Sequence, residues 1–183
     1  MMRTFLMSLL GVIMVASARA ATLAGVEMPD TVTVDGKTLV LNGIGLRQAT
    51  MLKVKAYVGA LYLEQKSSDP KTVIESSQTK RVVLSFLRDI DGAQLASGWA
   101  DSLRKVGGKE MEPAIGKFTS LIGDVKTGDR MSFTFRPGAG VEVAVRDQVK
   151  GTIPGDEFSR TLLTVWFGPK PGDENLKRGM LGK

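Results

Sequence analysis

From Leu41 to Glu64 the chain reads LNGIGLRQATMLKVKAYVGALYLE, and no other stretch limits the possible folds as strongly. Lys53, Lys55, Tyr57 and Gly59 alternate with Val54, Ala56, Val58 and Ala60, a period of two that fits a strand and not a helix. One face then carries small apolar residues, and the face bearing Tyr57 is expected to be the more polar. Upstream, Gly43 and Gly45 precede Arg47 in a Gly-x-Gly-x-Arg segment. Two residues without a Cβ allow the backbone to bend or to take another segment at close range. Whether the stretch is one strand, or two joined near Gln48 to Thr50, decides its geometry. On one unbroken strand Arg47 and Tyr57 would lie roughly 33 Å apart at about 3.3 Å per residue, whereas a hairpin brings them together.

Around this stretch, strands and helices cluster. Ala21 to Pro29 reads as an extended lead-in, and Thr31–Val34 and Thr38–Leu41 flank Asp35-Gly36, the turn chemistry of a tight hairpin. Asp69-Pro70 opens a short helix as N-cap and first helical residue. Lys80 to Ile90 has the β-branched and aromatic centre of a buried strand, followed by helical spacing of Leu95, Trp99, Leu103 and Val106 up to Gly107-Gly108. Asp89 or Asp91 caps that helix, and Arg88-Asp89 reads as an ion pair. A second helix is expected over 109–125, with Pro113 in its first turn. Arg130–Arg136 and Val141–Val145 read as strands joined by Pro137-Gly138-Ala139-Gly140. Lys150 to Pro154 leads into a helix from Asp156 to Phe167, and the tail from Asp173 to Gly182 adds one short helix. Trp99 and Trp166 fall in apolar helical stripes and are expected in the core. This order favours α+β over a doubly wound parallel sheet.

Residues 1–20, MMRTFLMSLLGVIMVASARA, have a basic start, an apolar run and an Ala-Arg-Ala end, the pattern of a secretory signal peptide. Its removal from 183 residues leaves 163, a single domain over 21–183 located in the periplasm or outside the cell. Losing Arg3 and Arg19 lowers 25 basic residues to 23 against 19 acidic, so the charge falls from +6 to +4. These charges are dispersed, and few aromatics alternate with them, which argues against nucleic acid as a partner. No cysteine and no histidine occur, which excludes a disulfide framework, a Ser-His-Asp triad and the usual zinc ligands. No calcium-loop motif is present, so neither a metal nor another cofactor is expected.

Three segments together resemble the chalcone isomerase-like family: Gly43-Ile44-Gly45-Leu46-Arg47 with Tyr57 and Leu61-Tyr62-Leu63-Glu64; Phe86-Leu87-Arg88-Asp89-Ile90; and Val165-Trp166-Phe167-Gly168. The resemblance spans nearly all of the mature chain and implies an open-faced sandwich, a large antiparallel sheet with helices packed on one face and a ligand cleft between the layers. Family members include enzymes that cyclise chalcones and non-catalytic relatives, some of which bind fatty acids. In the enzymes an arginine in the turn matching Arg47 acts with a threonine and a helical tyrosine. Here the threonine position is Tyr57, and the tyrosine position falls near Gly107.

The expectation that follows is a non-catalytic binder of a small amphipathic carboxylate such as a fatty acid, with Arg47 and Tyr57 on its headgroup. A guanidinium gives a carboxylate two parallel donors and a phenol adds a third. Val58, Leu61, Leu84, Phe86 and Phe118 are expected to line an acyl tunnel, in which eight or so methylenes at about 0.8 kcal/mol each would supply affinity. Two alternatives stay open. One is an intramolecular isomerase or lyase acting on a phenolic enone, with Arg47 as its catalytic residue. The other is an interaction module without a small ligand.

Overall fold

The computed structural model describes residues 20–49 and 54–183. β1 (Ala20–Leu23) and β2 (Val26–Pro29) form a separate antiparallel hairpin, turning at Ala24 (φ 51°) and Gly25 (φ 80°), where a plain lead-in was expected. Seven further strands make one antiparallel sheet in chain order: β3 (Thr31–Val34), β4 (Lys37–Ala49), β5 (Val54–Leu63), β6 (Lys80–Phe86), β7 (Arg130–Arg136), β8 (Gly140–Val145) and β9 (Gln148–Ile153). Asp35 and Gly36 close the β3–β4 turn with φ of 49° and 77°, as the Asp-Gly pair predicts. β9 is the strand the sequence conceals. Its residues are mostly exposed and lack an apolar alternation, and its turn uses Arg146 (φ 52°) and Asp147 (φ 60°) in place of a glycine.

Five helices accompany the sheet among the described residues: α1 (Pro70–Glu75), α2 (Gly92–Gly107), α3 (Glu112–Thr119), α4 (Asp156–Phe167) and α5 (Glu174–Met180). The Asp69 carboxylate accepts from the Lys71 and Thr72 N–H groups, and that of Asp91 from Gln94 N–H, so Asp91 is the cap of α2. Asp89 accepts from Lys126 Nζ and Thr127 N–H, an ion pair across two loops rather than with its neighbour Arg88.

Two elements are shorter than expected. β6 ends at Phe86, because the chain must leave the sheet to start α2; Leu87 N–H donates to Ala56 O at 2.9 Å and Ile90 bridges Val125. A short 3₁₀ turn over Lys109–Met111 precedes α3, which stops at Thr119. There the Thr119 hydroxyl donates to Ile115 O and the Ser120 hydroxyl to Lys117 O, taking carbonyls that another helical turn would need.

The helices pack on one face of the sheet, where Leu61, Leu84 and Phe133 meet Trp99, Leu103, Phe118 and Trp166. On the other face Val58, Ala60, Tyr62 and Val83 pack with Met28, Leu39 and Leu41. Tyr57 packs against the helix-side core, so its face is not the polar one expected from the lysines. Lys55 is exposed, and a register shift sets it opposite Gln48 while Tyr57 opposes Arg47, so the two do not share a face. The paired glycines have a definite purpose. A Cβ on Gly43 or Gly45 would overlap the backbone carbonyls of Gly179 and Leu176, so their absence lets α5 lie directly on β4.

Candidate functional site

Arg47 and Tyr57 stand directly opposite each other on β4 and β5. The hairpin alternative therefore holds, but its reversal lies between Ala49 and Val54; Gln48 and Ala49 are still strand, and residues 50–53 lie outside the described set. Arg47 is accordingly within a strand and not in a turn. Beside it the register shifts, since Arg47 opposes Tyr57 while Gln48 opposes Lys55, leaving Ala56 extra. Such a bulge twists the strand and re-aims its side chains.

Both residues line a cavity of about 250 Å³ between the sheet and the helices. Leu84 and Phe86 form its sheet wall, Leu95 and Trp99 come from α2, Val165 and Trp166 from α4, and Leu176 from α5. Gln94, Ser102 and Asp173 add polar atoms to this mostly apolar lining. Of the expected tunnel residues, Leu84 and Phe86 line it. Val58 points to the other face of the sheet, and Leu61 and Phe118 are buried in the core without reaching the cavity.

Arg47 is partly occupied by the protein. Its Nη1 donates to Gly172 O and lies 3.6 Å from Asp173 Oδ2, with the Arg47 side chain 28% exposed and that of Asp173 10%. Asp173 is held by three backbone donors, Gln48 N–H at 3.0 Å, Asn175 N–H at 2.9 Å and Leu176 N–H at 3.0 Å, the last two making it the N-cap of α5. Arginine has five donors, so one bond to a carbonyl leaves capacity for another acceptor.

Tyr57 packs edge-on against Phe86, with ring centroids 5.9 Å apart, and its oxygen accepts from Trp166 Nε1 at 3.4 Å. Burial pushes the phenol pKa up, opposed by the Trp166 N–H and the charge of Arg47. The phenol therefore keeps its proton at neutral pH. With Trp166 using a lone pair, that proton can be given to a ligand oxygen. Trp99 and Trp166 belong to the core as expected, 5.3 Å apart in a T-shaped pair, yet both also face the cavity.

Asp173, Gly172 and Trp166 are the site residues that sequence reasoning missed. Asp173 is legible as a helix cap, but nothing local places it beside a strand 125 residues earlier. At Gly107, near which the resemblance puts the enzymes' helical tyrosine, even a Cβ would meet Met111 Cγ at 2.6 Å and Thr161 Cγ2 at 2.8 Å. Among the described residues, no group of three or more carboxylates is placed to hold a metal, and no helix is long and apolar enough to cross a membrane.

By sequence, no curated protein matches the chain. Among solved structures, the crystal structure of a fatty-acid binding protein from Arabidopsis thaliana matches with a TM-score of 0.75, covering 89% of this chain and 96% of that one at 17% identity. Identity this low shows a common fold. The profile of the chalcone isomerase-like family matches residues 20–182, which takes in the whole sheet, every helix and both walls of the cavity. The chain belongs to the chalcone isomerase-like family.

Proposed function

We propose that this protein is a non-catalytic binder of a small amphipathic carboxylate, a fatty acid of medium length, with Arg47 and Tyr57 on the headgroup. The observation that carries this reading is the cross-strand pairing of a guanidinium and a protonated phenol inside a mostly apolar cavity. The Arabidopsis relative in fold, a fatty-acid binding protein, supports it. At about 30 Å³ for each water-sized group, the cavity of about 250 Å³ accommodates about eight such groups, which points to an acyl chain no longer than about octanoate. The isomerase alternative loses support from the crowding at Gly107, since Arg47 alone cannot orient both a water and a ketone.

One observation favours the interaction-module reading: Asp173 already stands where a ligand carboxylate would approach Arg47. Titration of octanoate into wild type, Arg47→Ala and Asp173→Asn by calorimetry separates the two. A headgroup clamp predicts at least tenfold weaker binding in Arg47→Ala. It also predicts tighter binding in Asp173→Asn, which keeps a capping side chain but removes the competing charge. Equal affinity in wild type and Arg47→Ala, or none in either, overturns the proposal.

Residues 1–19 lie outside the described residues, and export to the periplasm or beyond rests on their sequence pattern. The mass of the protein recovered from its native compartment tests it; a chain beginning at Ala21 is expected.

A further inference from the structure

The sheet face turned away from the helices carries a second cavity, of about 140 Å³. β1–β2 closes it through Met28 and Pro29, and the sheet supplies Tyr62, Arg81, Arg130 and Ser132. Alternation along β6 and β7 puts Arg81 with Val83, and Arg130 with Ser132, on this one face. Asp147 is also part of the lining, so two positive groups meet one negative.

Among the described residues neither arginine that lines this cavity has a carboxylate partner. Arg104, Arg136 and Arg146 each hold a carboxylate within hydrogen-bonding reach. Arg81 Nη2 donates to Ser132 Oγ at 3.0 Å, but its Nε is buried with no hydrogen-bond partner among these residues. Arg130 Nη2 donates to Glu27 O at 3.0 Å, which ties the β1–β2 hairpin down over the cavity. Tyr62 Oη donates to Pro29 O at 3.0 Å on the same hairpin. Burial pushes the Tyr62 phenol up to about 12 even though Arg130 and Arg81 both act to lower it, which places both charges near its oxygen. Arg81 Nε is closed off from solvent, so the donors that a group in the cavity meets are the terminal guanidinium nitrogens of Arg81 and Arg130.

We propose that this outer-face cavity is a second ligand site that takes a small oxyanion, a phosphate or a short carboxylate, held by Arg81 and Arg130. At about 30 Å³ per group, about 140 Å³ admits four or five non-hydrogen atoms, enough for phosphate or acetate and too few for a fatty acid. The guanidinium fork matches the O–X–O edge that both anions present. The Ser132 hydroxyl, which accepts from Arg81, retains its proton for the bound anion.

The test is calorimetric titration of the full domain with inorganic phosphate, and separately with acetate, at ionic strength held constant with sodium chloride. A saturable response to either anion is expected, and which one responds distinguishes a tetrahedral from a planar ligand. Arg81→Gln is expected to weaken it at least tenfold, whereas Arg104→Gln, at an exposed arginine of α2 that lines neither cavity, leaves it unchanged. If Arg81→Gln does not fold, judged by circular dichroism, Arg130→Gln makes the same test. No saturable response to either anion shows that the cavity holds water alone and overturns the proposal. An undiminished response in the folded outer-face variant overturns it too.

Discussion

On the helix side of the sheet, the arginine that reaches a cavity comes with its own answer: Arg47 donates to Gly172 and faces Asp173 within walls of leucine, phenylalanine and tryptophan. On the outer side, Arg81 and Arg130 reach a smaller and more polar cavity without an ion-pair partner among the described residues. A charge among apolar groups is costly when nothing neutralises it, so a site that must be stable while empty carries an internal counterion. Arg130 is exposed on the outer side, where water makes that penalty smaller. An anion entering the proposed helix-side site must therefore displace or share a carboxylate, whereas one entering the proposed outer site meets guanidinium groups bonded only to neutral oxygens.

The sharpest way to break this contrast is to cut into each face in turn. Trp99→Ala removes the ring that touches Phe118, Phe133 and Trp166, and is expected to cost about 3–5 kcal/mol in denaturant unfolding. Val83→Ala on the outer face should cost only about 1–2 kcal/mol. Equal losses would mean that the hairpin side carries as much of the core as the helix side. Gly45→Ala is expected to cost about 2–3 kcal/mol and to abolish the proposed octanoate binding, because its Cβ cannot coexist with the Leu176 backbone and must lift α5, and Asp173 with it, off β4. Unchanged stability there would show that α5 contributes little to the helix-side site.

The smallest effect concerns consecutive residues that look in opposite directions, Lys80 inward and Arg81 outward. Lys80 is 4% exposed and burial pulls its pKa down to about 8 from an ordinary 10.5. The folded state disfavours the charged amine, so the penalty is complete below about pH 8 and is relieved as pH rises toward 10.5. Wild type should therefore gain on the order of 1–2 kcal/mol across that window, and Lys80→Met should not. Parallel pH profiles for the two proteins would refute the assignment.

Much of this architecture is legible from residue patterns. Asp35-Gly36, Asp69-Pro70 and Gly107-Gly108 mark turns and helix ends because their chemistry is local. The Leu95, Trp99 and Leu103 spacing marks α2 for the same reason. Arg47 and Tyr57 are visible as candidates, but their pairing depends on a reversal whose residues carry no glycine or proline signal. β9 hides because a polar edge strand has no buried face to pattern it. Asp173 and Trp166 reach the site only through tertiary packing, which no window of sequence contains. Arg81 carries no sign at all of its neighbours from β1–β2 and β7.

The backbone seat of α5 on Gly43 and Gly45 separates two properties that are usually entangled in a binding protein. The acidic cap beside Arg47 is positioned by main-chain contact, with Gly179 pressed against Ile44 and Gly45 from the other side. Side chains deeper in the cavity, such as Leu95, Gln94 and Ser102, take no part in that seating. On the proposed carboxylate reading, they can be exchanged to suit a longer, shorter or more polar ligand while Arg47 and Asp173 stay in register, so selectivity would diversify along α2 without rebuilding that end.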